Sequence, residues 1–289
     1  NCFLYTCRCW HAGMDKNRCG TQYVRKSRHW IVSYRKFTHY LDVWASGNEV
    51  LQRLHQEIES RGLCSERRSM SEFMHTLAKD GHIADAYVAK PASQAIATVV
   101  ILQEIFGITD HIKDVCKQYA AHGYLAIAPA LFDRIQKNTV LDYSSFAEGR
   151  DYKMQLQDEQ VLLDIAAAAA TAENDLKVAV IGFCFGGALA YLASTRLNLD
   201  CAISYYGGGI AEKYINQKPL CPIMYHFGAL DSAIPLSEVA VIKSNHPEGV
   251  FHIYEDAGHG FNCNFRKDYH EESAKIASTR SLDFLKLHL

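Results

Sequence analysis

A cysteine flanked by glycines directly follows an apolar run. The apolar run is Lys177–Ile181, and Gly182–Gly187 then reads GFCFGG, with Cys184 at its centre. This spacing is typical of a nucleophile elbow, a sharp turn between a strand and a helix that needs small residues on both sides. The N-terminus of the following helix favours a thiolate and any oxyanion beside it. The motif predicts a nucleophilic Cys184; the alternative is a buried cysteine in a small-residue turn.

Nucleophilic catalysis also needs a base and an acid that orients it, in the chain order nucleophile, acid, base. Asp231 follows the apolar segment Pro222–Phe227, and His259 follows Val250–Tyr254 between two glycines. Open α/β sheets place functional groups in the loops beyond the carboxyl ends of their strands. We therefore predict Asp231 as the orienting acid and His259 as the base.

Other roles remain open for these residue types. Asp231 precedes Ile234-Pro235, so it could simply cap that turn. Other histidines could also serve as the base, but His226 and His252 lie inside predicted strands. Their positions favour packing roles, whereas His259 lies at a strand end.

A fourth candidate is a glutamate at the end of the first strongly apolar strand. Ala95–Leu102 runs into Gln103–Gly107, which reads QEIFG. Glu104 thus lies between an apolar strand and two large apolar residues, where we expect partial desolvation. A desolvated carboxylate usually has a perturbed pKa, which is common at functional sites. The alternative is a solvated loop residue.

Taken together, the QEIFG segment, the GFCFGG segment, the Asp231 loop and Gly258–Phe261 (GHGF) resemble the dienelactone hydrolases, over about residues 70–289. The resemblance implies an α/β-hydrolase fold, a Cys-His-Asp triad and hydrolysis of a lactone or enol-lactone ester. It also implies that Glu104 contacts the resting thiol and helps to generate the thiolate. The backbone N–H groups of Ile105 and Phe185 would form the oxyanion hole.

One position departs from the family pattern. Well-known members carry an arginine four residues beyond the histidine to hold the substrate carboxylate, and this chain has Cys263 there. Arg266 and Arg150 are the candidate replacements. Tyr205 resembles a pocket-lining tyrosine of the family, as does the adjacent Tyr206, although a core role is open for either.

The expected chemistry is thiolate attack on an ester carbonyl, followed by a thioester intermediate and its hydrolysis. An enolate leaves readily, so we expect ester or lactone hydrolysis and little peptidase activity. No cofactor and no metal are implied. The alternatives are a general carboxylesterase for uncharged esters, a thiol redox protein with Cys201 or Cys263 as resolving cysteine, and a scaffold without activity.

Apolar strands alternate with helical segments through residues 95–289. Helices are predicted at Thr109–Ala120, with Thr109 as N-cap, at Met154–Ala172 and at Tyr269–Leu287, and a polar loop runs from Pro129 to about Arg150. Further strands are predicted at the segments given above, at Tyr124–Pro129 and at Cys201–Tyr206. This pattern predicts a mostly parallel central sheet covered by helices on both faces, which agrees with the α/β-hydrolase fold that the resemblance implies.

The first 69 residues differ in composition from the rest. They hold all three tryptophans, half of the ten cysteines and no proline, and their net charge is +6 against −8 for residues 70–289. We expect residues 1–69 to be an atypical extension outside the catalytic fold, residues 70–289 to be the catalytic domain, and the native protein to begin near Met70.

A targeting peptide and a short amphipathic helix at Asn48–Arg61 are other possibilities for residues 1–69. A zinc site is less favoured, because its candidate ligands lack CxxC spacing: Cys7, Cys9, His11 and Cys19.

Several classes of partner are disfavoured by the sequence. The longest apolar runs are too short to span a membrane, and there is no basic stripe with interleaved aromatics for nucleic acid. Walker and Rossmann glycine patterns are missing as well. We expect a cytoplasmic enzyme, because a reactive thiol must stay reduced. It would act on a small-molecule lactone or ester as a monomer or small homo-oligomer.

Overall fold

The chain divides into two compact units, Asn1–Arg67 and Arg68–Leu289. The computed structural model describes residues 3–6, 21–26, 29–34, 70–172 and 176–289. In the first unit these are three strands of an antiparallel sheet in sequential order: β1 (Phe3–Thr6), β2 (Thr21–Lys26) and β3 (His29–Tyr34). The candidate zinc ligands Cys7, Cys9, His11 and Cys19 and the candidate helix Asn48–Arg61 lie outside the described residues.

The second unit is built on an eight-stranded sheet. Its strands lie in the order β11-β10-β9-β8-β6-β7-β5-β4. The pairs from β7 to β11 are parallel, and β4 and β5 add an antiparallel hairpin at the β7 edge. The bounds are β4 Met70–Leu77, β5 Ile83–Lys90, β6 Thr98–Leu102, β7 Leu125–Pro129, β8 Val178–Phe183, β9 Cys201–Tyr205, β10 Ile223–Gly228 and β11 Val250–Tyr254.

Burial explains the parallel core. Every residue of β6, β7, β9 and β10 is buried, which requires cover on both faces of the sheet. Within residues 70–172 and 176–289, the α-helices are α1 Asp110–Ala121, α2 Phe146–Gln155, α3 Asp158–Ala169, α4 Phe185–Arg196, α5 Leu236–Asn245 and α6 Glu271–His288. The prediction of a mostly parallel sheet with helices is confirmed, although the β4–β5 hairpin was not anticipated.

The direction in which successive strands are added across the sheet reverses between β6 and β8. The connection from β6 to β7 runs towards one edge of the sheet, whereas the connections from β7 onwards run towards the other. Right-handed crossovers therefore put α1 on one face and α3 and α4 on the opposite face. Such a reversal opens a crevice at the carboxyl ends of the two strands, where ligands bind in open α/β sheets. Glu104 follows β6 and Cys184 follows β8.

The segment between β7 and β8 differs from its prediction. The expected polar loop contains α2, and the expected long helix at residues 154–172 is interrupted. Leu156 and Gln157 are extended, with ψ of 139° and 130°, so α2 ends before them and α3 starts at Asp158. The alanine run indicated helix but not where it begins. The break places Leu156 in the wall of the pocket described below.

The other predicted helices are confirmed. Thr109 occupies the N-cap position of α1, but its hydroxyl accepts a hydrogen bond from Tyr143 Oη instead of capping the helix. Gly123, with φ of 95°, lies just past the end of α1, as a helix stop requires. Among the described helices, none combines the length and the apolar character needed to cross a bilayer.

Candidate active site

Cys184 lies in a strained turn between β8 and α4. Its φ and ψ are 54° and −112°, a conformation that non-glycine residues rarely adopt. Such a residue costs roughly 1–3 kcal/mol and persists only where the surroundings hold it. The backbone hydrogen bond from Cys184 N to Tyr205 O on β9, 3.0 Å long, contributes to that restraint. The turn presents the side chain at the carboxyl edge of the sheet.

The glycines around Cys184 allow the turn to close. A Cβ on Gly182 would overlap the backbone oxygen of Gly186, and a Cβ on Gly186 would overlap the backbone of Leu102 at the end of β6. Both positions thus require glycine for close approach of backbone to backbone, not for a positive φ. The predicted elbow geometry is present in the structure.

His259 and Asp231 continue from the thiol in a chain of hydrogen bonds. His259 Nε2 lies 3.1 Å from Cys184 Sγ, and His259 Nδ1 lies 2.7 Å from Asp231 Oδ2. Asp231 is buried, and its Oδ1 accepts hydrogen bonds from the amides of Ala233 (2.8 Å) and Ile234 (3.1 Å). Asp231 therefore caps the turn with one oxygen and orients His259 with the other. Each side chain comes from a loop at the carboxyl end of β8, β10 or β11.

The electrostatics of the site favour a charged imidazole. Burial opposes protonation of His259, but the electrostatic interaction with Cys184 and the hydrogen bonds that the ring donates to Asp231 and Cys184 outweigh it and raise the pKa of His259 to about 10. The imidazole of His259 can therefore stay protonated at neutral pH.

That pKa gives a testable titration. In the intact protein we expect the His259 ring to keep both N–H protons up to about pH 10, as followed by NMR of its ring nitrogens. In Cys184→Ala the interactions of His259 with Cys184 are removed, so burial should bring the pKa of His259 well below that value. Cys221→Ala removes another partly exposed thiol and should leave the titration unchanged. An identical titration in Cys184→Ala would contradict this explanation.

Glu104 is buried beside the cysteine turn and pairs with Arg266. Its Oε1 lies 3.2 Å from Arg266 Nη1, and both side chains are nearly inaccessible to solvent. Burial raises the pKa of Glu104, although the charge of Arg266 opposes this effect. Glu104 Oε2 has no hydrogen-bond partner within the described residues. The resting contact between Glu104 and Cys184 that the family resemblance implies is not made, since the thiol is bonded to His259.

Two backbone amides at the pocket are available to bind an anion. Neither Ile105 N nor Phe185 N donates a hydrogen bond to another residue of the described part of the chain. Both residues line the pocket beside Cys184. Phe185 is the first residue of α4, so its N–H points out of a helix N-terminus, where the dipole favours negative charge.

A cavity of about 530 Å³ opens above Cys184 and His259. This volume is within the range usual for small-molecule sites. Its walls are mostly apolar and include Phe106, Phe146, Leu156, Phe185, Leu189 and Ile234. Its charged residues are Arg150, Lys153, Asp158, Glu212, Lys213 and Arg266. Both arginines suggested by the sequence thus reach the pocket.

Tyr205 does not line this pocket, contrary to the expectation. Its side chain is buried, and its hydroxyl lies 2.7 Å from Ser281 Oγ on α6. This contact shows that the Tyr205 side chain points to the sheet face covered by α6. Tyr206 is the nearer residue: it has a φ of 38°, and its ring centroid lies 5.3 Å from that of His259.

The contribution of α2 was missed from the sequence. Phe146, Arg150 and Lys153 all line the cavity, and they are spaced at i, i+4 and i+7. That spacing puts them on one face of a helix, so it is the signal that could have identified α2. The predicted polar loop obscured this periodicity.

The eight-stranded sheet and the hydrogen-bonded Cys184, His259 and Asp231 at its carboxyl edge define an α/β-hydrolase. The family model that matches the chain, over residues 84–289, is that of the dienelactone hydrolase family. The chain belongs to this family, and it is a hydrolase that acts on ester or lactone bonds of small molecules.

Individual relatives agree with that membership. Carboxymethylenebutenolidase of Pseudomonas putida is 34% identical over 218 residues, which cover 71% of this chain and 92% of the relative. A "Putative carboxymethylenebutenolidase" of Yersinia pestis is 33% identical over 234 residues, with 74% and 87% covered. The crystal structure of a "Putative Dienelactone Hydrolase" from Klebsiella pneumoniae subsp. pneumoniae MGH 78578 superimposes with a TM-score of 0.65 at 30% identity and covers 74% of this chain and 98% of that one.

Proposed function

We propose that this protein hydrolyses lactones and enol-lactone esters through a covalent thioester on Cys184. In this mechanism Cys184 is the nucleophile, His259 the base, Asp231 the orienting acid and Glu104 the activator of the thiol. The observation that carries the proposal is the continuous series of hydrogen bonds from Cys184 Sγ through His259 to Asp231. It supplies a path for the thiol proton.

The reaction proceeds in two stages. The thiolate of Cys184 adds to the ester carbonyl, and the tetrahedral intermediate collapses by breaking the C–O bond to the leaving group. The leaving enolate or alkoxide takes the proton from His259 Nε2, or departs as the anion. A water molecule, deprotonated by His259, then attacks the thioester and releases the carboxylic acid and the thiol.

The oxyanion of both tetrahedral intermediates would be bound by the amides of Ile105 and Phe185. Their N–H groups are free in the structure and border the cavity beside Cys184. Removal of one such donor typically costs 10²- to 10³-fold in kcat in other hydrolases. Because the donors belong to the backbone, side-chain substitution does not remove them.

Glu104 is proposed to act on the thiol from its buried position. In the structure the carboxylate of Glu104 is paired with Arg266, so the thiol of Cys184 contacts His259 instead, as an active arrangement requires. If Glu104 turned away from Arg266, its raised pKa would let it accept the thiol proton. Exchange between these two partners is how this carboxylate would activate Cys184.

The charges around the cavity support a substrate that carries a carboxylate. Arg266 reaches the pocket from a position three residues beyond Cys263, and Arg150 and Lys153 reach it from α2. Arg266 is already neutralised by Glu104, whereas Arg150 belongs to no ion pair within the described residues. We therefore assign Arg150 as the first contact for the substrate carboxylate.

This assignment predicts discrimination by charge. For an enol-lactone carrying a free carboxylate, kcat/KM should exceed that of its methyl ester by about tenfold, equivalent to roughly 1.4 kcal/mol. Arg150→Met should remove most of this preference, mainly through KM. Arg196→Met, at the end of α4 and away from the cavity, is the matched control. Equal kcat/KM for both substrates would instead favour a general carboxylesterase for uncharged esters.

We also propose that residues 70–289 form the complete catalytic domain. The boundary between the two compact units at Arg67 and the family match over residues 84–289 support this division. A fragment of residues 70–289 should fold cooperatively and retain kcat within about twofold of the full chain. Loss of folding or of activity in the fragment would show that residues 1–69 contribute.

The nucleophile also bears on localisation. Thiolate catalysis requires a reduced cysteine, and reduced thiols persist in the cytosol. The cysteines of the described second unit are free: Cys116, Cys184, Cys201, Cys221 and Cys263. We therefore propose a cytoplasmic enzyme.

A further inference from the structure

Three buried side chains with metal-binding atoms meet near the cysteine turn. Glu104 follows β6, His111 lies in the first turn of α1, and Cys263 lies in the loop after β11. One potential ligand atom from each lies within 4.8 Å of the others, and all three residues are buried. His111 and Cys263 have no part in the proposed hydrolysis, so their approach to Glu104 is unexplained by it.

Two polar atoms of these side chains lack a partner. Within the described residues, Glu104 Oε2 and His111 Nε2 are buried and make no hydrogen bond. Each unsatisfied buried polar group costs about 1–3 kcal/mol, and charged groups cost more. Two such atoms within one cluster indicate that the site has a function beyond packing. Glu104 Oε2 offers a lone pair to a cation, and so does His111 Nε2 in the tautomer that carries its proton on Nδ1.

We propose that Glu104, His111 and Cys263 bind a zinc ion. A carboxylate, an imidazole and a thiolate are the three ligand types that proteins use for Zn²⁺. At the usual zinc–ligand distances of about 2.0–2.3 Å, a tetrahedral ion holds its ligands about 3.3–3.8 Å apart. Side chains whose ligand atoms already lie within 4.8 Å reach this spacing by movements of about 1 Å.

The protonation states suit such a site. Burial lowers the pKa of His111 to about 4, so its imidazole is neutral at neutral pH and keeps a lone pair. Burial raises the pKa of Cys263 to about 11, so zinc binding must displace a proton from its Sγ to solvent. Zinc with one carboxylate and one thiolate carries no net charge.

The groups next to Glu104, His111 and Cys263 lower the affinity of this site for zinc but do not prevent zinc binding. The guanidinium of Arg266 repels a cation, but it occupies Glu104 Oε1 and leaves Oε2 free. The thiol of Cys263 also interacts with the hydroxyl of Tyr143 through a side-chain hydrogen bond. A carboxylate can bridge a guanidinium and a metal through its two oxygens, so Glu104 need not lose Arg266.

The test measures binding of Zn²⁺ itself, because Cys184 and His259 could also bind zinc and inhibit turnover directly. Full-length Cys184→Ala protein serves as the parent, and titration calorimetry with Zn²⁺ gives the number of ions bound. Adding Cys263→Ala or adding His111→Phe should each raise the dissociation constant of one ion by more than about tenfold, since even outer-sphere changes weaken metal sites by 10- to 100-fold. Adding Cys116→Ala is the matched control: it removes another buried thiol, on α1, and should change nothing.

A second readout keeps the test decisive if a variant folds poorly. Co²⁺ bound to the parent should give a sulfur-to-metal charge-transfer band, and this band should be lost in the Cys263→Ala protein but retained in the Cys116→Ala protein. If His111→Phe does not fold, His111→Gln replaces it. Zinc binding and a cobalt spectrum that are the same in the parent and in every folded variant would overturn the proposal, as would no binding by the parent.

Discussion

Replacement of Cys184 by alanine is expected to lower kcat for an enol-lactone substrate by about 10⁴- to 10⁶-fold, the range seen when the nucleophile of a hydrolase triad is removed. The reason is that Cys184 Sγ is the atom that His259 Nε2 faces, whereas Glu104 is paired with Arg266. Steady-state hydrolysis followed by loss of the enol-lactone absorbance measures the effect.

The control for this change is Cys221→Ala. Cys221 is also a free and partly exposed thiol, but it lies outside the cavity. Its removal should leave kcat and KM within about twofold, whereas Cys184→Ala should keep the native circular dichroism spectrum and lose turnover. Turnover by Cys184→Ala within tenfold of the native protein would exclude Cys184 as the nucleophile.

Asp231→Asn is expected to lower kcat by about 10⁴-fold, as the equivalent change does in a serine-protease triad. Asp231 Oδ1 accepts two backbone amides, so the asparagine oxygen must take that place. The side-chain NH₂ would then face His259 Nδ1, where a hydrogen-bond acceptor is required. His259 would be held with its proton on Nε2, and it could not accept the proton of Cys184.

The matched control is Asp256→Asn, an exposed aspartate three residues before His259. It removes the same charge from the same loop without touching the imidazole, so kcat should stay within about twofold. If Asp231→Asn and Asp256→Asn had equally small effects, Asp231 would be only a turn cap. In that case the hydrogen bond to His259 would have no catalytic role.

The positions of the candidate site residues were predictable because each lies at the end of an apolar strand. Parallel strands end at a common edge, so the residues after β6, β8, β10 and β11 meet there whatever the helices between them do. The glycines around Cys184 were predictable for a second reason. Only glycine allows the backbone of the turn to approach β6 as closely as it does.

Features that depend on contacts between distant residues could not be predicted. Nothing in the spacing of Arg266 indicates that its guanidinium meets Glu104, 162 residues earlier. The inward orientation of Tyr205 depends on its partner Ser281 on α6, which lies 76 residues later in the chain. The proximity of Glu104, His111 and Cys263 also follows from tertiary packing, because two different loops and the helix α1 supply these residues.

The interruption between α2 and α3 shows a local feature that could not be predicted from the sequence. Residues 154–172 favour a helix by composition, and alanine gives no indication of where a helix begins. The backbone turns extended at Leu156 and Gln157, and this break gives α2 and α3 independent directions over the cavity. The wall of the pocket, and with it the substrate range, therefore depends on the part of the sequence that was least predictable.

The central claim is that Cys184 carries the acyl group during hydrolysis. Rapid quenching of the native protein with an activated ester in acid, followed by peptide mass spectrometry, tests it most directly. We predict a mass increase equal to the acyl group on the peptide that contains Cys184, released by hydroxylamine, and its loss in Cys184→Ala. Burst-phase turnover with no acyl mass on Cys184, or the same acyl mass on another residue, would contradict the account.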